Sequence, residues 1–265
     1  MATYPNNIFS PREKQNRSGV EYDPEKKTVI FVEDIKKLDD EVVAIEEELG
    51  LHFKRDRMDP NLVLYLPFEE NTGTMTKDLS GWGNHGALIN GPSWTNGKVG
   101  KCLSFDGVDD YVDVNDFQLG GEITVEGWVY PTAHQKWQRM IDFGNGPSSD
   151  NIVMAASAET TGRPQFGYSV GSTYYGIASP DAISLNSWHF LVGVLGGGRV
   201  KLYVDNVLKA DVAGPAGVNN LKRTNNFIGR SNYSADAYFK GLIDEVRVYN
   251  RALTASEIQD HYLNP

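Results

Sequence analysis

Residues 186–212 read NSWHFLVGVLGGGRVKLYVDNVLKADV. Two apolar runs, WHFLVGVL and VKLYV, flank the glycine-rich segment GGGR, and the pair Asp205-Asn206 separates the second run from VLKADV. Short runs rich in β-branched and aromatic residues, bounded by Gly, Asn and Asp, are typical of strands joined by tight turns. The stretch therefore predicts three consecutive antiparallel strands.

The same pattern fills the chain from Leu62 onward. Further runs of this kind are LVLYLPF, ITVEGWVYP, MIDFG, NIVMAAS, PQFGYSV, YYGIAS, FIGR and LIDEVRVYN. Many short strands with closely spaced turns favour a two-sheet antiparallel sandwich. The segment LTASEIQDHYL near the end predicts one short helix, with Thr254 and Glu257 placed to form a capping box. We therefore expect an all-β fold.

The N-terminal residues follow a different pattern. We expect an extended arm over residues 1–31, because prolines interrupt it, then a helix over residues 32–50 and a linker over residues 51–61. The sandwich domain then occupies residues 62–265. The apolar residues of the helix are spaced three and four apart and form a heptad seam, namely Ile35, Leu38, Val42, Ile45 and Leu49.

That helix is too short to be stable alone, so its seam needs a partner. The partner is either the chain's own sandwich or other copies of the chain, and the residue types are compatible with a homotrimer. The arm carries a small basic cluster, Arg12, Lys14 and Arg17, that we expect either to attach to an acidic partner or to remain solvated.

Composition narrows the function. The 265 residues have a formal net charge of −10, which disfavours a nucleic-acid surface, and 40% of them are hydrophobic, enough for a packed core. No apolar run reaches the length of a membrane span, and the N-terminus lacks the apolar region of a secretory signal. The single cysteine, Cys102, flanks an apolar strand and is expected to be a buried structural thiol in a protein assembled in a reducing cytoplasm.

Six stretches, in this order, resemble a known family: DLSGWGNHGALING, KCLSFDGVDDYVDV, ITVEGWVYP, NSWHFLVGVLGGGRVKLYVDNVL, FIGRS and GLIDEVRVYNRALTASEI. They are similar to the laminin-G-like, concanavalin A-like jelly-roll domains, over roughly residues 62–263. The resemblance implies a sandwich of two curved sheets that binds glycans and holds a structural Ca²⁺ ion. It favours a site formed by Asp78 and Asn84 together with Asp244, and the sequence offers Asp106 as a further candidate ligand. The alternative is that DLSG and FDGVDD are Asx turns, in which Asp binds its own backbone.

The segment from Ile8 to Gly50 resembles the virion-proximal part of tailed-phage fibre and surface proteins. That resemblance implies attachment to a major capsid or tail protein and a location on the virion surface.

A catalytic function would require close carboxylates. Concanavalin A-like glucanases carry three acidic residues at alternate positions of one strand, and GEITVEGW keeps Glu122 and Glu126 but has Thr124 between them. Retaining hydrolysis needs two carboxyl groups about 5–5.5 Å apart, whereas residues four apart on a strand have Cα atoms roughly 13 Å apart. We therefore expect no glycoside hydrolase activity.

Glycan binding commonly uses exposed aromatic rings together with amides and carboxylates. The candidate contacts are Trp82, Trp137, Tyr174 and Tyr175, while Trp94, Trp128 and Trp188 are expected in the core. The sequence thus favours a phage virion surface protein, either a capsid decoration protein or a tail fibre component, with a glycan-binding jelly roll. A free-standing carbohydrate-binding module is the alternative, and a glycoside hydrolase the less favoured third.

Overall fold

A computed structural model describes residues 59–265. The predicted arm, the helix with its seam, and most of the linker lie outside these residues. Within them, eighteen strands are followed by one helix, α1 (Ala255–Leu263). The strands are Leu62–Leu66 (β1), Met75–Thr76 (β2), Gly86–Ile89 (β3), Ser93–Asn96 (β4), Lys101–Asp106 (β5), Tyr111–Val114 (β6), Phe117–Gly121 (β7), Ile123–Pro131 (β8), Arg139–Gly144 (β9), Ile152–Ala155 (β10), Gln165–Val170 (β11), Thr173–Ala178 (β12), His189–Gly196 (β13), Arg199–Val204 (β14), Val207–Ala213 (β15), Val218–Arg223 (β16), Asn225–Ile228 (β17) and Lys240–Tyr249 (β18).

The strands form two large antiparallel sheets. In the first, the order is β15-β14-β13-β8-β18-β5-β4, with β1 also paired to β18. In the second, the order is β12-β11-β10-β9-β17-β6-β3-β2, and β7 pairs separately with β16. Strands β13, β14 and β15 are consecutive neighbours, so the three-strand prediction for residues 186–212 is confirmed, with Asp205 and Asn206 at positive φ in the second turn.

The core lies between the two sheets because each strand alternates its side chains between faces. On β8, Ile123, Val125 and Val129 point into the main core, where they join Ile141 and Phe143 of the second sheet. The sheets approach closely enough that a Cβ atom on Gly193 would lie 2.2 Å from the Phe166 ring. Only glycine fits there without displacing that ring.

The outer face of the first sheet is covered by α1 and the segment leading into it. This covered face carries its own apolar cluster, in which Trp128 and Phe190 pack with Ile258 and Tyr262. The predicted capping box is present: the Thr254 side chain accepts a hydrogen bond from Glu257 N, and the Glu257 carboxylate accepts one from Thr254 N. Trp128 is buried, as expected, while Trp94 and Trp188 are only partly buried.

The lone thiol also has the expected environment. Cys102 is fully buried on β5, and burial raises its pKa to about 12. A thiol that stays protonated at neutral pH is a poor nucleophile, so the residue has a packing function. In the part of the chain that the structure describes, no helix has the length and apolarity needed to cross a membrane.

Candidate functional site

An exposed tryptophan stands beside a groove at one end of the sandwich. Trp82 is 64% exposed, and the glycines on both sides of it have positive φ, a backbone conformation that glycine adopts without strain. The groove has a volume of about 400 Å³. Its walls come from the Trp82 loop, the segment around β7, and single residues of β16 and the end of β18; they are Val63, Trp82, Asn84, Asp116, Phe117, Gln118, Leu119, Gly120, Asn220 and Asn250.

The Trp82 loop is held rigidly by the carboxylate of Asp78. Its Oδ1 accepts hydrogen bonds from the N–H groups of Tyr65 and Ser80, and its Oδ2 accepts from Ser80 Oγ and Asn84 N, all at 2.8–2.9 Å. The bond to Ser80 N closes an Asx turn. Asn84 Nδ2 in turn donates to Val63 O at 2.7 Å, which fastens the loop to β1. The ring of Trp82 is therefore presented on a fixed base.

The groove walls are rich in amides. Gln118 Nε2 donates to Asn220 Oδ1 at 2.8 Å, so these two side chains support each other across the β7–β16 pair. Asp116 lies 3.1 Å from the Lys222 ammonium and adds a carboxylate at the rim. One aromatic face with several amide and carboxylate groups provides both an apolar surface and directional hydrogen bonds, the usual combination in pockets for small polar ligands.

The other predicted glycan contacts lie elsewhere. Trp137 precedes β9, donates from Nε1 to Glu159 at 2.8 Å, and has the Arg139 guanidinium 5.4 Å from its ring centre. Tyr174 and Tyr175 lie on the edge strand β12 and are 41% and 47% exposed. None of the three lines the Trp82 groove, so the four aromatic residues do not form one surface.

The two tyrosines point to opposite faces of the second sheet. Tyr175 stacks on Tyr168 of the neighbouring strand, with ring centres 5.4 Å apart. The Tyr174 side chain packs directly over Gly167, because a Cβ atom added to Gly167 would lie 2.0 Å from the Tyr174 hydroxyl oxygen. Burial of that hydroxyl raises the pKa of Tyr174 to about 12. The exposed part of Tyr174 is therefore its ring, which leaves an apolar surface on the edge strand.

The four predicted calcium ligands do not assemble at one point. The Asp78 carboxylate already accepts four hydrogen bonds, and Asn84 binds β1, as described above. Asp106 is paired with Lys240 on β18, and Asp244 lies four residues further along the same strand. The Cα atoms of Lys240 and Asp244 are therefore roughly 13 Å apart, which keeps Asp106 away from Asp244. As the turn alternative predicts, Asp106 Oδ1 accepts from Val108 N at 2.8 Å.

Asp106 has two acidic neighbours, Asp109 and Asp110, whose carboxylate oxygens lie within 4.8 Å of it and of each other. Hard oxygen ligands of this type suit Ca²⁺, so calcium binding stays a prediction. Asp244 is different: it is buried, its Oδ2 accepts from Lys98 N and Val99 N, and burial together with the charge of Glu245 raises its pKa to about 8.

The acidic residues of GEITVEGW face the covered side of the sheet or a turn. Glu126 is fully buried, with its Oε1 2.9 Å from His261 Nδ1 of α1 and 3.5 Å from Arg247 Nη1. Thr124 donates to Arg251 O and accepts from Leu253 N, and Glu122 accepts from Gly197 N in the turn after β13. Both Thr124 and Glu126 therefore hold the C-terminal segment in place, which fits a structural function for this strand.

Sequence reasoning identified Trp82 but not the polar side chains that accompany it. Gln118, Asn220 and Asn250 belong to three separate segments, and no motif marks them. These three residues come together only in the folded chain, where β7 pairs with β16 and β18 pairs with β1.

Comparison with known proteins gives the family and the fold. The sequence model of the concanavalin A-like lectin/glucanases superfamily matches residues 106–259, more than half of the chain. No curated protein is similar enough in sequence to count as a relative.

Among solved structures, domain 4 of AbnA, an extracellular GH43 arabinanase of Geobacillus stearothermophilus in complex with arabinotriose, has a TM-score of 0.63 and 23% identity, covering 76% of this chain and 97% of that domain. The binding domain of Paraclostridial Mosquitocidal Protein 1 has a TM-score of 0.57 and 17% identity, covering 76% of this chain and 52% of that chain. A structure of botulinum neurotoxin type C, a toxin whose cell entry depends on interaction with two ganglioside molecules, has a TM-score of 0.57 and 14% identity, covering 77% of this chain and 51% of that chain.

This chain thus spans about half the length of those two toxin chains. At such identities the structural likeness establishes the fold alone. The family match and the antiparallel sandwich agree, and the chain belongs to the concanavalin A-like lectin/glucanase superfamily.

Proposed function

We propose that this chain is a surface protein of a phage virion, attached through its N-terminal segment, whose jelly roll binds a glycan in the Trp82 groove. The observation that carries the glycan part is the exposed Trp82 ring on a rigid loop beside amide and carboxylate side chains. A sugar ring has one face of C–H groups and a rim of hydroxyls, so it matches an aromatic face surrounded by hydrogen-bonding groups.

The groove favours a neutral, short saccharide. The one charged residue that lines the groove within residues 59–265, Asp116, is paired with Lys222 at 3.1 Å, so its negative charge is partly neutralised. A volume of about 400 Å³ suits a few sugar units rather than a long chain. The structurally similar domain 4 of AbnA is in complex with arabinotriose, which makes arabinotriose a suitable first probe alongside a glycan array.

The test is calorimetric titration of the full chain with the saccharides selected on the array. Trp82→Ala should lower affinity about two- to tenfold, since an aromatic stacking contact contributes about 0.5–1.5 kcal/mol. Leu208→Ala, which removes an exposed apolar side chain on the far edge strand β15, is the control and should bind normally. Equal binding by Trp82→Ala and the native chain would contradict the groove assignment.

Tyr175→Ala separates two locations of a glycan site. Loss of binding in Tyr175→Ala, with Trp82→Ala unaffected, would place the site on the edge strand β12 instead of in the groove.

The virion part of the proposal rests on the resemblance of residues 8–50 to phage attachment segments. In it, Arg12, Lys14 and Arg17 contact a major capsid or tail protein, and the seam of Ile35, Leu38, Val42, Ile45 and Leu49 forms a trimer. The protein is then assembled in the host cytoplasm and displayed on the particle, and the acid cluster around Asp106 is the place for a structural Ca²⁺ ion.

Light scattering on the full chain tests the seam. A trimeric mass that falls to a monomer in Leu38→Asp, but not in the control Lys36→Asp, which changes a charged position outside the predicted seam, supports the proposal. A monomeric native chain that still binds a glycan would favour the second candidate, a free-standing carbohydrate-binding module. That candidate has its own support, because the similar arabinanase domain is matched over 97% of its length.

A further inference from the structure

A second pocket lies far along the first sheet from the Trp82 groove, at the start of β13. Its volume is about 390 Å³. Side chains from the segment before β13, from the β14–β15 turn and from β15 line it, among them Asp181, Ile183, Ser184, His189, Asp205 and Lys209. Neither the sequence motifs nor the glycan site uses this pocket.

Three of these side chains form a linear hydrogen-bonded chain. Ser184 Oγ lies 3.0 Å from His189 Nε2, and His189 Nδ1 lies 2.8 Å from Asp205 Oδ2. A hydroxyl, an imidazole that can accept its proton, and a carboxylate that orients the imidazole are the parts of an acyl-transfer triad. We propose that Ser184, His189 and Asp205 hydrolyse short-chain carboxylic esters in this pocket.

The orienting carboxylate is fixed by the sheet. Asp205 Oδ1 accepts from Phe190 N, and Asp205 N donates to Phe190 O, both at 2.9 Å, so the β14–β15 turn is bound to the start of β13. With Oδ2 accepting from Nδ1–H, the neutral imidazole presents the lone pair of Nε2 to Ser184. The tautomer protonated on Nδ1 is the one that can remove a proton from the serine, whereas the opposite tautomer would donate from Nε2 to Ser184 O at 3.2 Å.

The reaction proceeds in two balanced halves. Ser184 Oγ attacks the ester carbonyl carbon while its proton passes to His189 Nε2. The bond between that carbon and the leaving alkoxide then breaks, and the alkoxide takes the proton from Nε2 and departs as an alcohol. Water next attacks the acyl-serine, its proton passing through Nε2 to Ser184 Oγ, and the acid is released.

The pocket contains donors for the developing negative charge. Lys209 Nζ, paired with Asp181 at 3.0 Å, places an ammonium in the same pocket. On a glycan, a short-chain ester of this kind is an O-acyl group carried by a sugar hydroxyl. This choice of substrate rests on the proposed function.

A purely structural function for these contacts makes a different prediction. Ser184 Oγ also lies 2.7 Å from Ser187 Oγ, and His189 Nε2 lies 3.2 Å from Ser184 O, so the same atoms fasten the turn before β13. If these contacts only hold the turn in place, the protein should show no hydrolysis and no selective labelling of Ser184.

The experiment measures hydrolysis of p-nitrophenyl acetate by the full chain. Ser184→Ala should lower kcat/KM about 100-fold, the range expected when general-base-assisted attack is removed. Ser172→Ala, which removes an exposed hydroxyl in another turn, should leave the rate unchanged. Trp82→Ala should also leave it unchanged, so failure of the glycan proposal and failure of this one are distinguishable.

A fluorophosphonate probe followed by peptide mass analysis gives a readout that does not depend on turnover. It should modify Ser184 in the native chain and not in His189→Gln that retains its native circular dichroism. Hydrolysis equal in the native chain and Ser184→Ala, or labelling of other serines to the same extent as Ser184, overturns the proposal.

Discussion

The covered face and the Trp82 groove use similar polar residues in opposite ways. On the covered face, Glu126 and Arg247 are fully buried, and α1 adds His261 to the same network. In the groove, Asn84, Gln118 and Asn220 keep surface access beside an exposed ring. The difference teaches that a carboxylate on a lectin-like sheet is no evidence of a ligand until the elements packed over it are known.

The covered face should be the more sensitive to charge removal. Arg247→Met leaves the buried carboxylates of Glu126 and Glu245 without their cation, and breaking a buried pair typically costs about 3–5 kcal/mol. Urea unfolding of the full chain measures this loss. Arg199→Ala, which removes an exposed partner of Asp211, should change the free energy of unfolding by less than about 1 kcal/mol. Similar losses of unfolding free energy in Arg247→Met and Arg199→Ala would contradict the expected difference between buried and exposed charges.

Asp244 extends the comparison to pH. Burial raises the pKa of Asp244 in the folded chain from its ordinary value of 3.8 to about 8, so its contribution to the free energy of unfolding is fully present below pH 3.8 and is lost as pH rises towards 8. Asp244→Asn keeps an oxygen acceptor for Lys98 and Val99 and removes the buried charge. We expect it to stabilise the chain at pH 8 by about 1–3 kcal/mol and to have little effect at pH 4.

Thermal unfolding at both pH values, with EDTA and then with added Ca²⁺, measures this effect. The proposed acid cluster around Asp106 should respond to calcium in both the native chain and Asp244→Asn, because the two sites are separate. A calcium response that disappears in Asp244→Asn would show that Asp244 is a ligand after all.

The N-cap of α1 should make an intermediate contribution to the stability of the helix that covers the first sheet. Thr254→Ala removes the acceptor for Glu257 N, and loss of such a cap costs about 1 kcal/mol. Hydrogen exchange should then increase in α1 but not in the Trp82 loop. An equal increase at both places would mean that the two regions are energetically coupled.

The groove should show the smallest effect on stability. Gln118→Ala removes an exposed amide, so the free energy of unfolding should change by no more than about 0.5 kcal/mol. Saccharide affinity should nevertheless fall, because Asn220 loses the partner that orients it. A stable variant with unchanged affinity would limit the binding surface to Trp82.

The apolar runs predicted most of the strands that carry the core, but not β6, β7 or the polar strand β16, although β6 and β7 also contribute core residues. β8 and β13 alternate apolar side chains on an inward face, whereas β16 reads VNNLKR and has three exposed residues out of six. Period-two patterning detects burial on one side, and β16 has little of it. The capping box of α1 was predictable because Thr254 and Glu257 are only three residues apart in sequence.

The candidate sites were predictable only where a single residue carries the signal. Trp82 stands out among glycines, but its amide neighbours come from distant segments. His189 and Asp205 are 16 residues apart and meet because β13 and β14 form a hairpin. The partners of Glu126 depend on where α1 packs, which no local pattern encodes.

The ends of the jelly roll are clasped together, and this decides how the domain bears force. Arg251 Nη2 lies 2.6 Å from Asp59 Oδ2, and Leu62 is paired with Tyr249 where β1 begins and β18 ends. A pull between these ends would open the β1–β18 bonds one after another, as a zipper opens. A pull on the Trp82 loop is different, because Asn84 transmits it to Val63 within β1, the first strand of the described residues. Tension applied at this loop would thus bypass most of the sandwich.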